Sequence, residues 1–121
     1  MAVQKQDGLH TDVKESATDL RGDEFKFCAV DNTTDEVDLC GDDGQIAGVI
    51  SEGRDVGYHT SFNLRGNPIL KVIVGEAISR GDDVASMAGG LAKTGSTNSF
   101  GVARNNAAIG EYVEINTLKT T

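Results

Sequence analysis

Tryptophan is absent from this 121-residue chain, and the side chains that usually carry chemistry are scarce: two His, two Cys, four Phe and two Tyr. No GxSxG, HExxH, P-loop, GxGxxG or CxxC pattern occurs, so serine-hydrolase, zinc-protease, nucleotide-binding and dithiol chemistries have no support in the sequence. Neither His10 nor His59 has a Cys or a carboxylate at metal-ligand spacing, and both read as ordinary histidines. The adjacent carboxylates Asp42-Asp43 and Asp82-Asp83 point apart in an extended chain, so neither pair makes an acid/base dyad. The expectation is a protein that is not an enzyme and needs no cofactor or resident metal. No apolar run approaches the roughly 18 residues of a membrane-spanning helix. The stretch Met1 to Asp12 shows no apolar signal core, so the expectation is a chain that matures in a reducing cytoplasm. Positive charge is also lacking: the net charge is −8, which disfavours a nucleic-acid partner.

What is present is apolar β-branched residues and glycine. Leu, Ile, Val and Phe make up 29 of the 121 residues, above the roughly 20% below which disorder is expected. The length fits a single domain. Fifteen Gly stand against one Pro, spread without a short period. The acidic charge is concentrated. Residues 31–55 hold eight carboxylates against Arg54 alone, a net −7. Asp31-Asn32-Thr33-Thr34-Asp35 opens like a calcium loop. However, Glu36 stands where the sharp turn needs Gly, and Asp42 where a bidentate Glu belongs. Polar turns account for the pattern better, because Asx side chains bond the local backbone and Gly accepts positive φ.

Along the chain, residues 1–23 are polar. Leu9, Val13, Ala17 and Leu20 fall at helix-like intervals, with Asp12 and Glu15 at capping-box spacing, but so short a helix is marginal alone. The segment reads as an N-terminal arm, followed by one domain over residues 24–121. From Phe25 the period becomes two. Phe25 and Phe27 share a face, the Asp31–Glu36 turn follows, and Val37 and Leu39 return, which describes a β-hairpin. Gln45–Ile50 reads as a buried strand. Val56, Tyr58, Thr60, Phe62 and Leu64 alternate strictly with polar or small residues, as in a half-buried strand. Ile69–Val74 is apolar on both faces except Lys71 and reads as a central strand. Short strands are expected at 83–87, 91–94, 99–104 and 111–118, with Gly- and Asn-rich turns between them. Strands at this spacing predict an all-β fold, a small β-barrel or sandwich carrying an extended N-terminal arm. With few aromatics, Val and Ile must fill its core. In the hairpin, a register pairing residue 29 with 39 would set Cys28 across from Cys40, within reach of a disulfide. A reducing cytoplasm favours free thiols instead.

The order of the motifs resembles a known family. Ala17-Thr18-Asp19-Leu20 precedes the Phe25-x-Phe27 strand, and an acidic stretch leads to Ile46-Ala47-Gly48-Val49-Ile50. Val74-Gly75 precedes Glu76-Ala77-Ile78-Ser79-Arg80-Gly81-Asp82-Asp83-Val84. Then come Gly89-Gly90-Leu91-Ala92, Phe100-Gly101-Val102-Ala103 and Gly110-Glu111-Tyr112-Val113-Glu114-Ile115. Over residues 17–118 this is similar to the capsid decoration (cement) proteins of tailed bacteriophages. It departs from them at Ser51–Gly57, where the family's connection carries a Pro. The resemblance implies a structural protein on the outer surface of the virion. It would bind the expanded capsid and clamp neighbouring subunits of the major capsid protein. It would act as a homotrimer or a dimer, with no direct contact to nucleic acid or membrane. Within that reading, Leu9, His10, Val13 and Leu20 of the arm are the candidate capsid or intersubunit contacts. The alternative is a small β-barrel carbohydrate-binding or adhesion module, which needs exposed aromatic rings for sugars to stack on. Tyr58 and Tyr112 are the only Tyr, and Tyr58 falls in the apolar set of its strand.

Overall fold

The computed structural model describes residues 10–118 apart from position 68. Those residues form ten strands and no helix. Five of them close into a barrel: β1 (Thr11–Ser16), β2 (Phe27–Val30), β3 (Glu36–Leu39), β4 (Gly48–Glu52) and β5 (His59–Leu64). Their order around the barrel is β1-β3-β2-β4-β5, and β5 pairs back onto β1. The β1–β3 pairing is parallel and every other pairing in the barrel is antiparallel. The remaining strands are β6 (Ile69–Ile73), β7 (Asp83–Ser86), β8 (Ala92–Thr94), β9 (Gly101–Ala103) and β10 (Tyr112–Asn116). They make an antiparallel sheet in the order β6-β10-β9-β7-β8.

Two apolar cores follow from the side-chain alternation of strands. Leu20, Cys28, Val37, Ile50 and Phe62 fill the barrel. The opposite face of the same wall packs on the second sheet. There Phe27, Cys40 and Val49 meet Leu70, Val72, Val74, Val84, Phe100, Val113 and Ile115. β2 and β4 are therefore buried on both sides, which is why Phe27-Cys28 and Val49-Ile50 are consecutive apolar pairs. Phe27 and Phe100 join the layers edge to face, with ring centroids 5.5 Å apart. Each such aromatic contact adds about 0.5–1.5 kcal/mol beyond its buried area. At the junction the Arg65 guanidinium lies 4.6 Å above the Phe100 ring and donates to the carbonyls of Phe100, Thr117 and Ser99.

The all-β expectation holds, as do the hairpin and the short strands after residue 82. Four expectations change. Residues 11–16 are a barrel strand rather than part of an arm, and Leu20 lies in the barrel core at 0% exposure. Ile69–Ile73 lies at the edge of its sheet, not at the centre. Phe25 does not share the face of Phe27. It sits before β2 with a positive φ of 67°, half out of the protein. Of the alternating set in β5, Thr60 and Phe62 are buried, whereas Val56 and Tyr58 precede the strand and are exposed.

Candidate interaction surface

The hairpin register decides the cysteines. Cys28 stands opposite Leu39, and Val30 opposite Val37, one residue away from the pairing that would oppose Cys28 and Cys40. Cys28 consequently points into the barrel core and Cys40 into the core between barrel and sheet. Both are buried free thiols. The Cys28 Sγ–H donates to the Gly48 carbonyl at 3.5 Å, and burial pushes its pKa up to about 12, with Cys40 adding to the shift. Burial also raises the Cys40 thiol. Neither is an activated nucleophile, since reactive cysteines have depressed pKa values.

The other sequence candidates disperse. Leu9 lies outside the described residues. His10 is exposed, and its backbone is held by Asn67, next to Gly66. Val13 faces solvent at 53% exposure. Asp31 spends its carboxylate on the turn, accepting from the N–H groups of Thr33 at 2.7 Å and Thr34 at 3.3 Å. Among the described residues no group of three or more His, Cys, Asp or Glu is placed to hold a metal ion.

The structure sorts the charge into two halves. Residues 10–64, which build the barrel, hold thirteen carboxylates against four cations, whereas residues 65–118 hold five of each. Nearly every cation near the barrel is engaged. Lys14 bonds Asp35, Lys26 bonds Asp23, Arg54 bonds Glu52, and Lys93 of β8 reaches across to Asp42 and Asp43. Hydrogen bonds to those carboxylates raise the pKa of Lys14 and Lys93. Arg21 clasps Asp19 with two hydrogen bonds and holds its carboxyl at about 2. Two cations of the second sheet, Lys71 and Arg80, have no carboxylate within ion-pairing distance among the described residues.

These two lie on the solvent side of the second sheet. An open cleft of about 450 Å³ there is lined by Arg80, Gly81, Val102, Ala103, Arg104 and Asn116. Next to it, Ile69, Lys71 and Ile73 of β6 stand opposite Asn116, Glu114 and Tyr112 of β10. Phe25 caps the far end, edge to face on Tyr112 with centroids 5.1 Å apart. The surface therefore joins exposed apolar groups to unpaired positive charge, turned away from the acidic barrel. Sequence reading missed it because its members come from five separated segments. The exposed aromatics and the odd Lys71 were the available signals.

No family model matches the chain, and no curated protein matches it. A solved structure does. The chain has the fold of a phage head-fibre base. The similar structure is the N base of the head fiber gp8.5 of bacteriophage phi29, at a TM-score of 0.74 and 19% sequence identity. The match covers 93% of this chain and 99% of that one. At this identity the likeness establishes the shared fold, barrel and second sheet together.

Proposed function

We propose that this chain is a structural protein of a phage head. It binds the outside of the expanded capsid and stabilises it by clamping neighbouring major capsid protein subunits. The observation that carries the reading is the shared fold with the base of a phage head fiber, nearly end to end in both chains. The order of motifs along residues 17–118, similar to that of capsid decoration proteins, supports it independently of the fold. The charge separation fits as well, since an acidic barrel turned to solvent limits adhesion to released DNA and to other virions. Many copies on one shell allow each contact to be weak. Self-association as a homotrimer belongs to the same proposal, and the role needs no catalytic group.

The test is sedimentation of the purified chain with expanded and with unexpanded capsids, followed by heating of the decorated particles. Binding to the expanded form together with a raised disruption temperature supports the proposal. Absence of binding to either form overturns it. A glycan array tests the carbohydrate-binding alternative, which the exposure of Tyr58 at 66% keeps in play.

A further inference from the structure

β6 has an open edge. Among the described residues it pairs with β10 alone; just beyond it the Val74 N–H donates to Glu111 and Val74 bridges Ala92 of β8, so the stretch left open is Ile69–Lys71. In an antiparallel ladder the residues that bond the neighbour alternate with residues that point away. Val72 and Leu70 therefore turn their N–H and C=O groups to β10, while Ile73, Lys71 and Ile69 turn theirs outward. The Ile73 N–H confirms the direction, since it donates to the Phe25 carbonyl on the far side. Among the described residues, no backbone group meets Lys71 or Ile69 on that side. The opposite edge of the sheet is blunted. β8 has three residues, its Ala92 carbonyl accepts from the Gly75 N–H, and Lys93 is tied to Asp42 and Asp43.

Proteins normally protect such an edge, because it templates pairing with another chain. Here it is flanked by apolar side chains. Ile69 is 43% exposed, and Ile73 is half-buried beside the Phe25–Tyr112 pair. Between the two Ile stands Lys71. Glu114 lies opposite Lys71 in register, yet its carboxylate goes to Arg104 at 3.3 Å. Lys71 is left as an exposed cation without a counter-ion among the described residues, in a chain of net charge −8. Arg80 adds a second unpaired cation across the sheet.

We propose that this edge receives an extended strand of the coat protein, apolar at alternate positions and bearing a carboxylate opposite Lys71. The inference rests on the capsid-binding reading and names the surface and the partner within it. Backbone pairing supplies the affinity, and the Ile69–Lys71–Ile73 row supplies the selection. A second copy of the same chain is a poorer occupant. A symmetric antiparallel pairing of two β6 edges centred on Lys71 sets ammonium against ammonium, which is destabilising. The acidic barrel in turn repels the same carboxylate-bearing segment, so the strand is directed to the second sheet.

The experiment compares wild type, Lys71→Glu, Lys71→Pro and Lys71→Arg for sedimentation with expanded capsids prepared without this chain. Light scattering on each free protein runs alongside. Pro removes the ammonium together with an N–H that points away from β10, a position where edge strands tolerate it; if that variant misfolds by circular dichroism, Lys71→Glu decides alone. The proposal expects Glu and Pro to weaken binding at least about tenfold and Arg to bind within about twofold of wild type. Wild-type affinity in all variants overturns the edge assignment and leaves the capsid-binding reading standing. A wild type that does not bind overturns both. A change in oligomer size on replacing Lys71 makes β6 a self-interface and overturns the assignment to the coat protein.

Discussion

Asn67 holds the backbone of His10 with both ends of its amide. Its Oδ1 accepts from the His10 N–H at 3.0 Å, and its Nδ2 donates to the His10 carbonyl at 2.9 Å. The same Nδ2 donates to Leu64, and the Thr117 hydroxyl donates to the Asn67 carbonyl. This buried side chain thus ties the start of β1 to the end of β5, and its backbone ties both to the residue after β10. Asn67→Ala removes three hydrogen bonds to part-buried backbone groups, at a cost of about 1–3 kcal/mol. Urea unfolding monitored by circular dichroism should show a lower midpoint at unchanged slope.

Leu20 and Val13 separate the barrel from an arm. Leu20 is fully buried against Cys28, Val37, Ile50 and Phe62, so Leu20→Ala should destabilise by about 2–5 kcal/mol. Val13 points to solvent on the same segment, and Val13→Ala should stay within about 0.5 kcal/mol. Equal, small effects in thermal melts would mean that residues 17–23 are not part of the core.

Gly53 marks a close crossing of two segments. A Cβ built there lies 1.8 Å from the Leu20 carbonyl oxygen, whereas one at Gly41 meets nothing within 4 Å. The obstruction is backbone and cannot swing aside. Gly53→Ala should cost about 2–4 kcal/mol and Gly41→Ala under about 0.5 kcal/mol, read by the same unfolding assay.

The thiols give a pH signature. Burial raises the Cys28 pKa from 9.0 to about 12, so the fold favours the protonated form. The linked stability is fully present below about 9 and is lost as pH rises through about 12. Wild type should therefore lose stability faster than Cys28→Ala between pH 8 and pH 10.5. A thiol reagent at pH 8 should label neither Cys28 nor Cys40 in the native protein and both in denaturant. Intact mass should not change on reduction.

Most of the strand pattern was legible in the sequence because burial on one face imposes a period of two. Val37, Leu39, Thr60 and Phe62 fall where that period puts them. β1 was not legible. Its sequence, Thr-Asp-Val-Lys-Glu-Ser, buries only Ser16, whose hydroxyl bonds the Thr60 hydroxyl at 2.7 Å. Its partners lie far along the chain in β5 and β3, so nothing local announces a strand. The Cys28–Leu39 register also escaped, because a slip of one residue in a hairpin with few turn constraints leaves the local pattern intact. The apolar row of β6 misled in a useful way. Ile69 and Ile73 read as buried on both faces, whereas Ile69 is exposed and Ile73 half-buried on the outer face of an edge strand, the feature from which the proposed docking edge is argued.

The proposed role places this fold on a phage shell. Sedimentation of the purified chain with expanded and unexpanded capsids tests it most directly. Saturable binding to expanded capsids with none to unexpanded shells is the result predicted here. A chain that stays in the supernatant with both contradicts the account.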